Sequence, residues 1–242
     1  MKTFGVPASD GVDLSAADGG PASTQPRSFS LLGRVAASLW FIVLAIVFGR
    51  GLVGMVRAVP PGGAGFSEWA AVVSRSCTLI FYVTLGWLIL VRPRALARRN
   101  GAVPMVIAFS GTYAVWLMPF LPHGDISPTL QVISAAIALG GSFLIIFTVL
   151  YLGRSFSIVP QARKLVIRGP YRIVRHPLYV AEEIAIIGVL FQYAWYAALP
   201  FLVVHLGLQI RRMVYEESLL RAVFPDYEAY ARRTPRLIPG IW

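Results

Sequence analysis

Two clusters in the second half of the chain carry residue types and spacings suited to chemistry. The first is Gly169-Pro170-Tyr171-Arg172-Ile173-Val174-Arg175-His176-Pro177-Leu178-Tyr179. Pro177 fits the first turn of a helix, where its missing N–H costs nothing. A residue before proline is biased to extended geometry, so Arg175 and His176 are expected in a loop just ahead of a helix N-terminus. Such an end presents free N–H groups and partial positive charge, a setting for a carboxylate or phosphate. The second cluster is Arg211-Arg212-Met213-Val214-Tyr215-Glu216-Glu217-Ser218-Leu219-Leu220. On a helix, Arg212 and Glu216 are four apart and share a face. As an exposed ion pair they would contribute only about 0.3–0.5 kcal/mol. Their position after an apolar hairpin that returns the chain to the Arg175-His176 loop points instead to a shared site.

The elements that must position these clusters are membrane helices. Of 242 residues, 57% are hydrophobic and 14% charged, against about 25% charged in an ordinary soluble domain, and the mean hydropathy is +0.67. Twenty-two Lys+Arg against 11 Asp+Glu give a net charge of +11. In so apolar a chain this excess fits the cytoplasmic flanks of membrane helices and not a nucleic-acid surface. Cys77 is the single cysteine, which excludes an intramolecular disulfide and a cysteine-based metal site; no metal is expected.

A crossing takes about 20 mostly apolar residues. Four stretches qualify: Leu32 to Val56, Val72 to Val91, Val103 to Leu121 and Leu130 to Leu152. A basic segment, Gly153 to Pro177, follows. The apolar stretches Leu178 to Tyr193 and Ala197 to Ile210 then look like a helical hairpin that dips into the bilayer, broken at about Trp195 to Pro200, and Arg211 to Trp242 looks like an amphipathic tail. The expected architecture is an all-α polytopic membrane protein. Residues 1–28 form a disordered tail, 29–152 a four-helix transmembrane region, and 153–242 a catalytic region with the hairpin and tail. The loop after the second stretch holds Arg92, Arg94, Arg98 and Arg99, whereas 122–128 holds no Lys or Arg. That asymmetry puts the former, the Arg154–Arg175 segment and the C-terminus in the cytoplasm.

Other features weigh less. Gly49-Arg50-Gly51-Leu52-Val53-Gly54 matches G-x-G-x-x-G but lies within an apolar helix, not after a strand, so close helix packing is the better account. His205 stands mid-helix with no second His or Cys nearby and is expected to be packed or hydrogen-bonded; His123 is a loop residue. Glu182 and Glu183 are ionisable residues in an apolar stretch, a functional hypothesis by default.

The Gly169–Tyr179 run, Glu216-Glu217-x-x-Leu, Phe224-Pro-Asp-Tyr227-x-x-Tyr230 and Thr234-Pro-Arg-Leu-Ile-Pro239 together resemble the isoprenylcysteine carboxyl methyltransferase family, within the phospholipid methyltransferase superfamily. The resemblance covers about Leu150 to Trp242. It implies an S-adenosylmethionine pocket lined by Lys164, Leu165, Val166, Tyr171, His176, Pro177, Leu178 and Tyr179 together with Glu216 and Glu217. It also implies that Arg212 faces the acceptor, and that the reaction takes a lipophilic acceptor among membrane lipids. Two departures stand out: Ala181 where the family usually has Gly, and Phe224-Pro225 where it usually has Phe-Gly. An ionised carboxylate acceptor would be held by the planar fork of Arg212, whereas an amine acceptor must lose a proton, for which Glu217 is a candidate base. Phospholipid N-methylation is therefore an alternative. A sterol-type membrane reductase, which binds NADPH, resembles the Arg-His-Pro-x-Tyr segment but lacks the Glu-Glu-x-x-Leu motif. A non-catalytic relative would have no need of the intact Arg212, Glu216, His176 and Tyr179 set.

Overall fold

The computed structural model describes residues 12–13, 27–59, 63, 65–91, 93, 95–99, 101–158 and 160–240. Most of the expected 1–28 tail, and Arg92 and Arg94 of the basic loop, lie outside the described residues. Helices dominate: α1 (Arg27–Arg57), α2 (Phe66–Val91), α3 (Ala102–Tyr113, continued by the 3-10 turns Ala114–Phe120), α4 (Pro128–Leu152), α5 (Pro177–Leu190), α6 (Trp195–Val223) and α7 (Tyr227–Arg233). Five segments are long and apolar enough to cross a membrane: Arg34–Arg57, Glu68–Val91, Ala102–Phe120, Pro128–Ser155 and Trp195–Val223. The chain is an all-α polytopic membrane protein, and its first four crossings fall where the apolar stretches lie.

The sequence pattern does not announce a small antiparallel sheet of β1 (Val12–Asp13), β2 (Ala97–Arg99) and β3 (Gln161–Ala162). Backbone groups in loops must find partners. Here the loops after α2 and α4 pair with each other, Ala97 opposite Ala162, at one end of the bundle.

Between the helices, small residues set the distance of approach. In a bilayer, helices gain little from the hydrophobic effect and associate by close packing at small residues. A Cβ on Gly141 of α4 would collide with the backbone of Ala185 on α5, and one on Gly188 of α5 with the backbone of Ala138. Ser134 Oγ donates to Gly188 O at 2.7 Å and accepts from Gln192 Nε2 at 3.0 Å. Gly111 makes the matching notch on α3, where the Arg212 side chain of α6 lies 2.8 Å from the position a Cβ would take. Within the Gly49–Gly54 run, Gly51 similarly faces Arg75 of α2.

The hairpin differs from expectation in two respects. Its break is at 191–194, and Pro200 lies inside α6. The break is fixed by partners from elsewhere: Ala194 N donates to Pro122 O at 2.8 Å and Gly124 N to Gln192 O at 3.1 Å. Pro200 stands little more than one turn into α6, where its missing N–H forfeits a single bond. The hairpin turn therefore meets the α3–α4 loop. At the other end of α5, Leu178 clusters with Val149 of α4, so α5 packs against α4 along its length. Secondly, α6 does not end at Ile210. It continues to Val223, so the Arg211–Leu220 cluster belongs to the hairpin's own return helix, and the tail begins only after it.

Gly140 and Gly141 separate packing from propensity, because a Cβ on Gly140 meets nothing within 4 Å. Gly141→Ala should destabilise the detergent-solubilised protein by about 1–3 kcal/mol through overpacking. Gly140→Ala should be neutral or gain up to about 1 kcal/mol from helix propensity. Thermal unfolding of the two variants checks this; equal shifts would contradict the α4–α5 contact.

Candidate functional site

At the end of the bundle opposite the 191–194 turn, α6 presents two adjacent glutamates with different surroundings. Glu217 is fully buried. Arg236 grips it with a two-pronged contact, Nε at 3.0 Å from Oε1 and Nη2 at 2.9 Å from Oε2. Arg175 Nη1 lies 2.8 Å from Oε1, His176 Nε2 donates to Oε1 at 3.2 Å, and Arg221 Nη2 reaches Oε2 at 3.3 Å. One carboxylate thus ties α6 to the loop before α5 and to the C-terminal segment. The backbone repeats that tie: Arg175 N donates to Pro235 O at 2.8 Å and His176 N to Arg236 O at 3.1 Å. His176 is the N-cap of α5, at φ −124° and ψ 58°: it is outside the helical region that a following proline disfavours but short of the extended geometry expected.

Glu216, one position earlier, turns to a different set of groups. It accepts from Tyr179 Oη at 2.5 Å, and the ring of Tyr179 in turn lies under the Arg212 guanidinium, 5.0 Å from centroid to Cζ. Arg212 is buried and donates through Nη1 to Gln209 Oε1 at 2.8 Å, while Gln209 Nε2 donates to Glu182 Oε2 at 2.7 Å. Further along α6, His205 contacts Glu183 through Nδ1 at 2.7 Å and donates from Nε2 to Gly111 O at 3.1 Å. His205, Gln209, Arg212 and Glu216 are spaced four, three and four apart, so they form one inward stripe on α6.

These groups border a cavity of about 380 Å³. Its polar end is lined by Lys164, Leu165, Val166, Tyr171, His176, Leu178, Tyr179, Arg212 and Glu216; its depth is lined by apolar residues such as Phe81, Leu85, Met118, Ile145, Ile186 and Val189. Two buried polar atoms on this wall, Tyr171 Oη and Arg212 Nε, have no hydrogen-bond partner among the described residues. Burial pushes the Tyr171 hydroxyl well above the ordinary range, so it stays a donor. The backbone of Tyr171 is held by Tyr230, whose hydroxyl donates to Tyr171 O at 2.6 Å; burial pushes Tyr230 up to about 12, with Arg175 pulling the other way.

The fold thus brings the two sequence clusters together, and a comparison of the chain with known proteins meets them there. Residues 128–227 match the phospholipid methyltransferase family. That stretch runs from α4 to the start of α7 and holds both clusters, whereas α1, α2 and α3 lie outside it. Two relatives are similar over about a third of the chain. The nickel-cobalt-cadmium resistance protein NccN of Alcaligenes xylosoxydans xylosoxydans is 33% identical over 82 residues, 34% of this chain and 38% of that protein. The cobalt-zinc-cadmium resistance protein CzcN of Cupriavidus metallidurans is 35% identical over 78 residues, 32% of this chain and 36% of that protein. The matched part of the chain spans well under half the length of these relatives.

Within the family region, most of the anticipated residues line the cavity. Pro177 and Glu217 do not: Pro177 is buried in the first turn of α5, and Glu217 is enclosed by its cations. Arg212 and Glu216 share a face without forming an ion pair within 4 Å, because Tyr179 stands between them. Sequence reasoning missed Gln209 and Arg236 as members of the site. Gln209 was legible as the i−3 neighbour of Arg212 on a helix face. Arg236 lay in a quoted motif, but nothing in its spacing pointed to a glutamate 19 residues away.

Removing one partner of a buried ion cluster leaves uncompensated charge and costs about 3–5 kcal/mol. Glu217→Gln should therefore lower stability by that order and release the C-terminal segment. Denaturant titration together with limited proteolysis near Arg233 checks both effects. Unchanged stability with an intact C-terminus would contradict the anchoring role.

Proposed function

We propose that the protein is an S-adenosylmethionine-dependent methyltransferase whose acceptor is lipophilic, in the manner of isoprenylcysteine carboxyl methyltransferases, with its polar site at the cytoplasmic face of a membrane. The observation that carries this reading is one continuous cavity, polar at the end of the bundle and apolar in its depth. Such a space receives a water-soluble cofactor from one side and a hydrocarbon chain from the other.

The residues present fit the cofactor. When bound, it supplies an activated methyl group on a cationic sulfur. The first-turn N–H groups of α5 at Leu178 and Tyr179 have no intrahelical partner and, with the free hydroxyl of Tyr171 and the ammonium of Lys164, suit a carboxylate. Glu216 suits the cationic part and is oriented by Tyr179. Arg212 lines the cavity, held between Gln209 and the Tyr179 ring, and its guanidinium suits an anionic acceptor group. Methyl transfer is an in-line displacement that depends on positioning more than on acid–base chemistry. Glu217 is occupied by Arg175, His176, Arg221 and Arg236 and acts in this reading as a positioning residue, not a base. That favours an acceptor already nucleophilic when ionised, such as a carboxylate, over an amine that must first lose a proton.

Four outcomes are expected. S-adenosylhomocysteine should stabilise the purified protein in a thermal shift and NADPH should not; stabilisation by NADPH alone would move the protein to the reductase class. In calorimetric titrations, Glu216→Gln should weaken S-adenosylhomocysteine binding by roughly 10- to 150-fold, the cost of a lost charge-assisted contact of about 1.5–3 kcal/mol. Arg212→Lys keeps the charge but loses the fork, and should leave that affinity nearly unchanged. Binding lost first in Arg212→Lys would reverse the two roles. For orientation, a reporter fused after Trp242 should be active only in its cytoplasmic form.

A further inference from the structure

The N-terminal helices lie outside the family match, yet Phe41 of α1 and Tyr113 of α3 border the cavity. A second, smaller space lies between α1 and α3. It is lined by Ala37, Trp40 and Phe41 of α1, Phe109 and Tyr113 of α3, and Ile158 of the segment after α4. Phe41, Tyr113 and Ile158 also line the main cavity, so the two spaces share a wall. That wall ends at the polar site: Arg212 Nη2 donates to Ile158 O at 3.5 Å. Across the gap the two helices are joined by aromatic side chains. Trp40 Nε1 donates to Tyr113 Oη at 3.0 Å, and the Trp40 ring stacks on Trp116, 6.4 Å between centroids and 22° between planes.

We propose that this cleft is the lateral entrance through which the hydrocarbon tail of the acceptor passes from the bilayer into the cavity, with the Trp40–Tyr113 hydrogen bond as its latch. The inference rests on the reading of the protein as an enzyme for a lipophilic acceptor. Three observations select a lipid chain as occupant. The cleft is flanked by two candidate membrane-crossing helices. Its lining is apolar apart from the latch. Its inner end adjoins Arg212, the residue suited to the acceptor's polar group. A chain lying in the cleft would therefore keep its tail in hydrocarbon while its head met the site. A single hydrogen bond between two aromatic side chains, worth about 0.5–1.5 kcal/mol net, is weak enough to open thermally.

The test uses the intact protein in nanodiscs that contain a long-chain fatty acid, with the anionic carboxylate head that Arg212 suits, carrying a photoreactive diazirine near the end of its chain. Adducts are mapped by mass spectrometry. Lipid around the protein labels the outward residues Leu39, Val43 and Val106 in any case. A chain in the cleft should also label Phe41 and Ile158, which face inward. Tyr113→Phe, which removes the latch and keeps the ring, should raise labelling at Phe41 and Ile158 several-fold and leave the outward residues unchanged. Adducts confined to the outward residues in both proteins would overturn the entrance. Inward labelling that Tyr113→Phe does not raise would overturn the latch. S-adenosylhomocysteine binding, titrated on the same samples, separates the two failures: absent binding counts against the methyltransferase reading, and intact binding with outward-only labelling counts against the cleft alone.

Discussion

The buried carboxylate of Glu217 is the constraint on which the rest of the site depends. A charge taken out of water costs several kcal/mol unless it is paired and hydrogen-bonded. Glu217 is fully enclosed, and Arg236, Arg175, His176 and Arg221 come from three separate stretches of chain to meet it. Each of those stretches thereby becomes a wall of the site. Arg175 and His176 bring the N-terminus of α5 to α6. Arg236 brings the segment after α7, and with it Tyr230, whose hydroxyl holds the backbone of Tyr171. Tyr171 thus takes its place in the cavity lining through a contact made elsewhere.

A second constraint runs along α6 into the bundle. In an apolar setting each buried polar side chain must find a partner or be kept for a ligand. His205 is satisfied by Glu183 and Gly111, and Gln209 by Glu182 and Arg212. Arg212 is satisfied only in part, with Nε left over. The stripe therefore passes from fully matched groups in the depth to a partly matched one at the site. Gly111 is what lets Arg212 lie so close to α3, so the geometry of a residue inside the family region is set in part by a helix outside it.

Much of this was legible in the sequence because it follows from local rules. Hydrophobic length located the four leading crossings, and the His176-Pro177 step located the start of α5. Helical spacing put Arg212 and Glu216 on one face. The parts that were not legible are tertiary. The break between α5 and α6 is placed by Pro122 and Gly124 and not by Pro200, which looks like the stronger stop signal in the sequence. α6 runs on through Arg211 and Arg212 because Glu216, Glu217 and Tyr179 give its polar face partners, so the change in composition at Ile210 marks no structural boundary. The separate fates of Glu216 and Glu217 could not be read from a Glu-Glu pair: one residue faces the cavity, and its neighbour, about 100° round the helix, faces the cations.

That rotation also explains how one short segment serves two opposed needs. A lipid-facing site must be open enough to admit a chain, yet its reacting groups must be held to within fractions of an ångström. Here the rigid part and the open part are built from different elements. The Glu217 cluster fixes the polar end, where α5, α6 and the C-terminal segment meet, and the glycine contacts hold α4 to α5 towards the other end. α1 and α3 border the apolar side and meet through an aromatic pair that a single hydrogen bond closes. α3 is itself held to α6, where Gly111 accepts from His205 and makes room for Arg212, so an opening that spares the site moves α1 away from α3. The chain can therefore be loose where a hydrocarbon tail would enter and stiff where a methyl group would be transferred.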